Sequence, residues 1–281
     1  MIHITKASGE QAEFSEEKIR KSLRRSGASE EQINRIVKEV STKLFNGITT
    51  RQIYRIAFGL LKKSSRHVAA RYHLKKAIME LGPSGFPFEK FFAELLNHQG
   101  YITKTDQLEK GRCVIHEIDV IAEKDHHYFL AECKFHNQAG KINDVQLPLY
   151  FQARFTDVME EWEKNQVRAE KIHTGWVVTN TRFSVDAIRY GTCAGLKLLG
   201  WDYPFGSALK DQIDTLGLYP LTCLTSLLRS EKQELLNKGI VLCRDLQIHK
   251  EILESLHIKP IRLSVINKEL EELCAHISTI A

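Results

Sequence analysis

The chain is short of cysteine and of long apolar runs. Its six cysteines, among 281 residues, are scattered without a Cys-x-x-Cys pair, which argues against a zinc ribbon and indicates free thiols in a reducing compartment. No apolar run reaches the length of a membrane span, and the opening Met-Ile-His-Ile-Thr-Lys lacks the apolar core of a signal peptide. These absences predict a cytoplasmic protein with no membrane partner.

Length and charge divide the chain into three segments. The length allows two domains and a small third. Residues 1–82 hold 17 Lys and Arg against 8 Asp and Glu, a net +9, whereas residues 83–205 hold 14 against 17 and residues 206–281 hold 9 against 10. Anionic partners, nucleotide phosphates or nucleic acid, are therefore expected at the first segment. The alternative is a solubilising basic helix face.

Two β-type runs carry the most informative polar residues of the chain. Residues 116–122 (His-Glu-Ile-Asp-Val-Ile-Ala) and 129–135 (Phe-Leu-Ala-Glu-Cys-Lys-Phe) are separated by a polar turn. The first run contains Asp119, and the second contains Glu132 and Lys134, which share one face because side chains at i and i+2 point the same way in a strand. If the runs pair as a hairpin, two carboxylates and an ammonium converge.

This combination suits a divalent metal and a phosphodiester. Mg²⁺ prefers oxygen ligands and usually takes one or two carboxylates, and a nearby lysine can orient the attacking water or neutralise the transition state. The alternative is a surface hairpin in which Glu132 and Lys134 form an ordinary ion pair. The aliphatic neighbours of these charges favour the site, because charges among buried strand residues are costly unless they serve a metal or partner.

Together with two flanking segments, these runs resemble the PD-(D/E)XK nuclease superfamily and its Mrr-type restriction endonuclease branch. Residues 86–101 are similar to the opening helix of that fold, and residues 176–184 are similar to a later core strand and the start of the next helix. The residue before Asp119 is Ile118 rather than the proline of the motif. The resemblance implies a mixed sheet flanked by helices and Mg²⁺-dependent (or Mn²⁺-dependent) cleavage of DNA that leaves a 5′-phosphate.

The resemblance also assigns roles to individual residues. Asp119 and Glu132 would hold the metal with help from the backbone carbonyl of Cys133, and Lys134 would position the attacking water. Glu89 stands in the place of the acidic helix residue of the family and could reach the metal. Its alternative role is to stabilise a helix dipole from the first turn.

Other polar residues near these runs are further candidates. Gln152 is our choice for the glutamine that the family often places beside the active site on the following helix. Glu117 shares the strand face of Asp119 and could be an additional ligand, or it could be solvated at a strand end. Residues 179–182 sit where a strand ends, a usual place for substrate contacts in α/β sheets.

The first segment predicts a short strand pair followed by helices. A hairpin turn at residues 8–10 separates two short alternating runs, and Ser15 caps the first helix. A second helix spans residues 29–44, Thr50 caps a third, and residues 67–81 form a fourth.

This segment resembles the ATP-cone domain, a regulatory nucleotide-binding module. The resemblance is carried by Ile-Thr-Lys-Ala-Ser-Gly at 4–9, Asn-Gly-Ile-Thr-Thr at 46–50 and Ala-Ala-Arg-Tyr at 69–72. It implies that ATP or dATP binds as a regulator. The residues that would contact the nucleotide are Lys6 and Lys18 at the phosphates and Thr50, which would lie near the base or cap the pocket. Both lysines could instead be plain surface residues, and Ala7 replaces the basic residue that the family commonly has there.

The last segment, residues 206–281, is helical by its leucine and isoleucine period. Residues 224–240 faintly resemble a helix-hairpin-helix DNA-binding unit but lack its Gly-x-Gly turn. We expect a helical accessory or interaction unit first and a DNA-binding unit second.

The sequence thus predicts an α/β (α+β) chain of three regions. These are a mostly helical ATP-cone domain at 1–82, a restriction-endonuclease-like nuclease domain at 83–205 and a helical region at 206–281. The predicted function is nucleotide-regulated endonucleolytic cleavage of DNA by a homo-oligomer whose self-association responds to ATP or dATP. The alternatives are a nucleotide-responsive DNA-binding or assembly protein with an inactive nuclease fold, and a nuclease acting on RNA.

Overall fold

The fold described here is that of a computed structural model, which describes residues 2–6, 8–249 and 251–275. Ala7 and the end of the predicted C-terminal helical region, 276–281, lie outside the described residues. The chain has the mixed α/β architecture that the sequence predicts. Among the described residues, no helix combines the length and apolar character needed to cross a membrane.

The strands and helices have the following bounds. The strands are β1 (His3–Thr5), β2 (Gln11–Glu13), β3 (Ile48–Thr49), β4 (Ile102–Lys110), β5 (Ile115–Lys124), β6 (His127–Lys134), β7 (Ile142–Asn143), β8 (Ile172–Thr179), β9 (Arg182–Phe183) and β10 (Lys197–Leu199). The first seven helices are α1 (Glu16–Arg25), α2 (Glu30–Ser41), α3 (Thr50–Ser64), α4 (Arg66–Tyr72), α5 (Leu74–Met79), α6 (Phe86–Asn97) and α7 (Gln146–Trp162). The remaining seven are α8 (Gln166–Ala169), α9 (Val185–Cys193), α10 (Leu209–Leu216), α11 (Arg229–Asn237), α12 (Cys243–Ile248), α13 (Glu251–Glu254) and α14 (Pro260–Cys274).

These elements form two compact units. The first contains the described residues up to Ile78 and those from Leu216 onwards, and the second runs from Met79 to Thr215. The C-terminal helices α11–α14 therefore belong to the same unit as the N-terminal helices. They do not stand apart as a third region.

The N-terminal part of the first unit is a small sheet packed with helices. The strand order is β2-β1-β3, and β1 pairs with β2 as the predicted antiparallel hairpin. Thr49, rather than Thr50, caps α3. Thr49 is extended, its hydroxyl accepts the Gln52 N–H at 3.2 Å, and the Gln52 side chain accepts the Thr49 N–H at 2.9 Å. This reciprocal pair satisfies two free backbone donors at the helix start, which leaves Thr50 as the first helical residue.

Two other helix predictions differ from the structure. The helix expected at 67–81 is two shorter helices, α4 and α5, which meet at the buried His73. The leucines at 224–228 lie in a loop between a short 3₁₀ helix and α11, not in a helix. The reason is Glu269, a buried carboxylate that accepts the backbone N–H groups of Thr225 at 2.9 Å and Ser226 at 3.0 Å and so satisfies them outside a helix.

The second unit is built on a five-stranded mixed sheet of order β10-β8-β6-β5-β4. Neighbours among β4, β5 and β6 are antiparallel, and β6, β8 and β10 are parallel to one another. Strand β4 was not predicted from the sequence, although its exposure alternates regularly along its length. The helix α7 covers one face of the sheet through Phe151, Val158 and Trp162, which belong to one buried apolar cluster with Ile118 and Leu130.

Candidate active site

The predicted hairpin of Asp119 and Glu132 is formed by β5 and β6. The ladder between these antiparallel strands runs from Lys124–His127 to Val120–Ala131. One position beyond it, the Asp119 Oδ2 atom accepts the backbone N–H of Cys133 at 2.6 Å. The Asp119 carboxylate therefore takes a strand hydrogen bond that a carbonyl would otherwise accept, and it lies beside the segment that carries Glu132.

Glu132 is held by an arginine rather than by Lys134. The Arg154 Nη1 atom on α7 donates a short hydrogen bond to Glu132 Oε2, and both side chains are nearly buried. Lys134, the last residue of β6, is exposed. Its backbone carbonyl accepts the hydroxyl of Thr179 at 2.8 Å, which fixes the chain where the lysine side chain begins.

Burial and mutual repulsion raise the pKa of two carboxyl groups at this site, Asp119 and Glu89. Burial, followed by the charge of Glu132, raises the pKa of Asp119 to about 6, although the Cys133 N–H and Arg154 oppose the rise. Burial and the charges of Asp119, Asp106, Glu117 and Glu132 raise the pKa of Glu89 to about 7. Near neutral pH the site thus holds carboxyl groups that any nearby positive charge would stabilise in their ionised form.

The donor set fits a hard divalent cation. Among the described residues, no group of three or more His, Cys, Asp or Glu side chains is spaced to hold a metal. Mg²⁺, however, requires only one or two carboxylates and fills its other positions with water and phosphate oxygens. Asp119 and Glu132 supply those two carboxylates. Burial and the charge of Glu132 raise the pKa of Asp119, and Arg154 pairs with Glu132, so a positive charge is favoured at this place. The residues present therefore suit Mg²⁺ or Mn²⁺.

The remaining predicted site residues lie around this pair in different ways. Glu89, in the first turn of α6, is electrostatically coupled to Asp119 and Glu132. The Cys133 side chain is buried on the opposite face, and burial raises the pKa of its thiol well above the ordinary value. Glu117 contributes to the raised pKa values of Asp119 and Glu89. The structure thus places Glu89, Glu117 and Cys133 around Asp119 and Glu132, and their roles as metal ligands stay predictions.

Gln152 is placed differently from the expectation. Its Nε2 atom donates to the Thr156 hydroxyl at 3.2 Å, and its Oε1 atom is buried without a hydrogen-bond partner. In the described part of the chain, Gln152 has no hydrogen bond to Asp119, Glu132 or Lys134. Residues two apart on a helix point to nearly opposite sides, so the face of α7 that presents Arg154 to Glu132 turns Gln152 away.

The strand end at 179–182 is a buried network rather than an open contact surface. Thr179, Asn180 and Thr181 are all buried. Asn143 donates to the hydroxyls of Thr179 at 3.0 Å and Thr181 at 3.1 Å, and Asn180 accepts the backbone N–H of His136 at 2.9 Å. This network stabilises the backbone that follows Lys134, and Arg182 alone of the four residues is exposed.

Two charged residues at the site were missed by the sequence reasoning. Arg154 contacts Glu132, as described above. Asp106 lies in β4 where the pairing with β5 skips one position, between Thr105–Val120 and Gln107–Ile118, and it has a left-handed backbone with φ of 54°. The same register on both sides of the gap places Asp106 across from Asp119. The charge of Asp106 contributes to the raised pKa of Glu89. The polar-apolar alternation of residues 102–110 was the signal that could have indicated this strand.

The predicted nucleotide contacts lie at the start of the first unit. Lys6 closes the β1–β2 turn through its backbone and forms an exposed ion pair with Glu10 at 3.0 Å. Lys18 is exposed on α1, and Thr50 is half-buried at the start of α3. Both lysine side chains are therefore accessible to an anion.

The raised pKa of Asp119 predicts a pH-dependent gain in stability for Asp119→Asn. The folded protein binds this proton more tightly than the unfolded chain, so the associated stability is fully present below pH 3.8 and is lost as the pH rises to about 6. Asparagine can accept the Cys133 N–H but has no such proton to lose. Relative to wild type in a chelator, Asp119→Asn should gain on the order of 2 kcal/mol of unfolding free energy between pH 4 and pH 8.

Urea unfolding followed by tryptophan fluorescence measures this change, because all three tryptophans (162, 176 and 201) lie in the second unit. Asp157→Asn is the matched control. The His116 hydrogen bond lowers the pKa of Asp157 to about 2, so this carboxylate contributes stability above pH 3.8 that is lost as the pH falls. Asp157→Asn should therefore destabilise the protein at pH 8, and a shared pH trend for the two variants would refute the assignment.

Comparison with known proteins identifies both ends of the chain. Residues 2–78 match the ATP cone domain family, which confirms the ATP-cone prediction, and residues 219–274 match the family described as AF1548-like, C-terminal. An uncharacterised protein of Archaeoglobus fulgidus is 40% identical over 156 residues, which cover 54% of this chain and 82% of that protein. A crystal structure of the protein of unknown function AF1548 is 33% identical, covers 68% of this chain and 99% of its own, and superposes with a TM-score of 0.56.

Proposed function

The chain belongs to the AF1548-like family, and we propose that it is a nucleotide-regulated endonuclease that hydrolyses DNA phosphodiester bonds with Mg²⁺ or Mn²⁺. The observation that carries this proposal is the meeting of Asp119 and Glu132 on adjacent strands, with the Asp119 carboxylate bound to the Cys133 N–H at 2.6 Å. Two acidic side chains of limited exposure are held at the end of a strand ladder, next to buried apolar residues of the same strands, at a cost that a structural role does not require.

Each residue has a distinct role in the proposed reaction. Asp119 and Glu132 would hold the cation, with Glu89 close enough to adjust their charge. When bound, the cation polarises the phosphate and lowers the pKa of a bound water. Lys134, exposed at the end of β6, would orient the attacking water and neutralise charge that develops on the phosphate oxygens. The network of Asn143 and Thr179 keeps the backbone of Lys134 in place.

The principal alternative is a nucleotide-responsive DNA-binding or assembly protein with a silent nuclease fold. Against it, Asp119 and Glu132 are both present and electrostatically coupled, and an inactive site has no physical reason to keep buried charges together. RNA in place of DNA is a second alternative, since a phosphodiester is common to both substrates.

Cleavage of supercoiled plasmid tests the catalytic proposal. The purified full-length chain should nick or linearise the plasmid with Mg²⁺ or Mn²⁺ and be inactive in EDTA, with products that carry 5′-phosphates. Activity assayed across the fractions of a sizing column should follow the protein peak. An activity that elutes elsewhere belongs to a contaminant, and the absence of cleavage of DNA together with cleavage of a matched RNA would assign the RNA alternative.

The N-terminal domain supplies the proposed regulation. The ATP-cone family match and the net +9 of residues 1–82 support binding of ATP or dATP, with Lys6 and Lys18 at the phosphates. We expect ATP or dATP to change the elution volume of the protein by altering self-association, and to change the cleavage rate in the same fractions. Lys6→Ala combined with Lys18→Ala should remove the nucleotide response and leave nucleotide-free cleavage unchanged. Identical elution and cleavage with and without nucleotide would refute the regulatory role.

A further inference from the structure

The ion pair between Arg154 and Glu132 is among the least exposed in the described structure. The Arg154 side chain is 12% exposed and the Glu132 side chain 16% exposed, and the Nη1 atom donates to Glu132 Oε2. For comparison, the pair formed by Arg112 and Glu160 in the same unit is 63% and 41% exposed. The guanidinium of Arg154 is thus drawn from α7 into the sheet surface where Glu132 lies.

A purely structural ion pair explains this arrangement poorly. Two charges removed from water lose hydration that their mutual attraction recovers only in part, so a buried pair is weak evidence for stability. Arg154 also acts beyond its direct partner, because its charge opposes the rise in the pKa of Asp119. The guanidinium therefore stabilises the same two carboxylates that a divalent cation would bind.

A cation held by Glu132 through Oε2 would compete with the guanidinium of Arg154 for that oxygen. Oε2 already accepts the Arg154 hydrogen bond, so a cation that used this atom would share it with the guanidinium. Two positive centres that share one oxygen repel each other strongly when they are shielded from water. A metal bound to Glu132 through Oε2 therefore requires the guanidinium to move.

The ring of Tyr150 already contacts the guanidinium of Arg154 and can hold it after the bond to Glu132 is broken. Tyr150 lies one turn before Arg154 on α7, its ring centre is 5.5 Å from the guanidinium carbon, and it is 64% exposed. An arginine that leaves Glu132 can remain stacked on this ring while its N–H groups turn towards solvent. A guanidinium in such a position binds phosphate oxygens in a two-pronged geometry that lysine does not provide.

We propose that Arg154 is an exchangeable counter-charge for Glu132, displaced from Oε2 by a divalent cation and then available to bind a phosphate of the DNA substrate. The proposal rests on the proposed function for its substrate and on the Arg154–Glu132–Tyr150 contacts for its mechanism. It assigns Arg154 a positioning role that couples metal binding to substrate binding.

Mn²⁺ binding without DNA tests the first half of the proposal. Free Mn²⁺ measured by electron paramagnetic resonance should give a dissociation constant roughly tenfold lower for Arg154→Ala than for wild type, since a competing charged hydrogen bond has been removed. Arg154→Gln keeps a side chain that can donate hydrogen bonds but removes the charge, and it should also bind Mn²⁺ more tightly than wild type. It provides the test if Arg154→Ala does not fold. Arg112→Ala, which removes an exposed guanidinium from the same unit, should leave Mn²⁺ binding as in wild type.

Equal or weaker Mn²⁺ binding by Arg154→Ala and Arg154→Gln would overturn the proposal, because a supporting or purely structural arginine gives that result. Tighter binding by both variants, with no change in Arg112→Ala, supports it. Since this experiment contains no DNA, tighter Mn²⁺ binding by a protein that cuts no DNA would refute the nuclease proposal and leave the exchange at Glu132 supported. If wild type cleaves DNA but the two Arg154 variants show no gain in Mn²⁺ affinity, the nuclease proposal is supported and the exchange at Glu132 is refuted.

DNA binding tests the second half. Fluorescence anisotropy with a labelled duplex in Ca²⁺, and separately in EDTA, compares the two states of the site. Arg154→Ala should weaken DNA binding several-fold in Ca²⁺ and have little effect in EDTA, where wild-type Arg154 remains on Glu132. Equal losses in both conditions would show a constant phosphate contact, and no loss in either would show that the displaced guanidinium does not reach DNA. Either result overturns this half of the proposal.

Discussion

Replacing Asp119 by alanine should lower the rate of Mg²⁺-dependent DNA cleavage by roughly a thousandfold or more. Asp119 is one of the two carboxylates that can hold the cation, and its Oδ2 atom also binds the Cys133 N–H next to Glu132. Alanine removes the ligand and the hydrogen bond together. Single-turnover nicking of supercoiled plasmid at saturating Mg²⁺ measures the loss, and Mn²⁺ affinity should fall with it.

Asp186→Ala is the matched control for this prediction. Asp186 lies at the start of α9 in the same unit, its side chain is 77% exposed, and its ion pair with Arg189 is long at 3.8 Å. This variant should cleave DNA at the wild-type rate. Equal rates for Asp119→Ala and wild type would reject Asp119 as a catalytic residue and favour the binding-only alternative.

Replacing Lys134 by methionine should slow cleavage by roughly a hundredfold or more and change Mn²⁺ affinity by less than about twofold. Lys134 is exposed at the end of β6, and its ammonium is not the group that neutralises Glu132, because Arg154 has that contact. The methionine variant therefore lacks the positive charge that would act on the water and the phosphate, whereas the contacts of Asp119 and Glu132 are unchanged. Single-turnover cleavage and Mn²⁺ titration on the same preparations separate the two quantities.

Lys104→Met serves as the control, since Lys104 is an exposed lysine on β4 of the same sheet. It should reduce neither cleavage nor Mn²⁺ affinity. A parallel fall in cleavage and Mn²⁺ affinity for Lys134→Met would mean that Lys134 acts through the carboxylates instead of on the substrate, and Arg154 would then need a different role.

The three variants should differ in their effects on metal affinity and on cleavage rate. Asp119→Ala should lose both metal and catalysis, Lys134→Met should lose catalysis alone, and Arg154→Ala should gain metal affinity. Three different signatures from residues within one hairpin and one helix are difficult to obtain from general destabilisation, which would lower all the measured quantities together.

Local sequence patterns were sufficient for part of this result. Strands β5 and β6 each contain a short apolar run next to a polar turn. The two-residue period of a strand places Glu132 and Lys134 on one face whatever surrounds them. The antiparallel pairing with Asp119 follows from the short connection between the strands. The ATP-cone prediction likewise rested on residues close together in the chain.

Other features depend on contacts between distant residues. Arg154 is separated from Glu132 by 22 positions, and the helix period alone does not reveal which flank of α7 packs at the end of β6. The sequence did not predict strand β4, so Asp106 could be assigned to the site only from the pairing of β4 with β5 in the structure. Thr49, rather than Thr50, caps α3, because Gln52 exchanges two hydrogen bonds with Thr49: its side chain accepts the Thr49 N–H, and its own N–H donates to the Thr49 hydroxyl.

The strand pair with its two carboxylates and lysine, the ATP-cone domain and the mixed α/β class could all be predicted from the order of the residues. The reason is that hydrophobic period, turn residues and helix caps act between residues a few positions apart. Only the folded chain shows that Arg154 pairs with Glu132, that Gln152 lies on the other side of α7, and that the C-terminal helices belong to the N-terminal unit. Those outcomes depend on which surfaces pack together and on how buried charges find partners, which no short segment of the chain encodes.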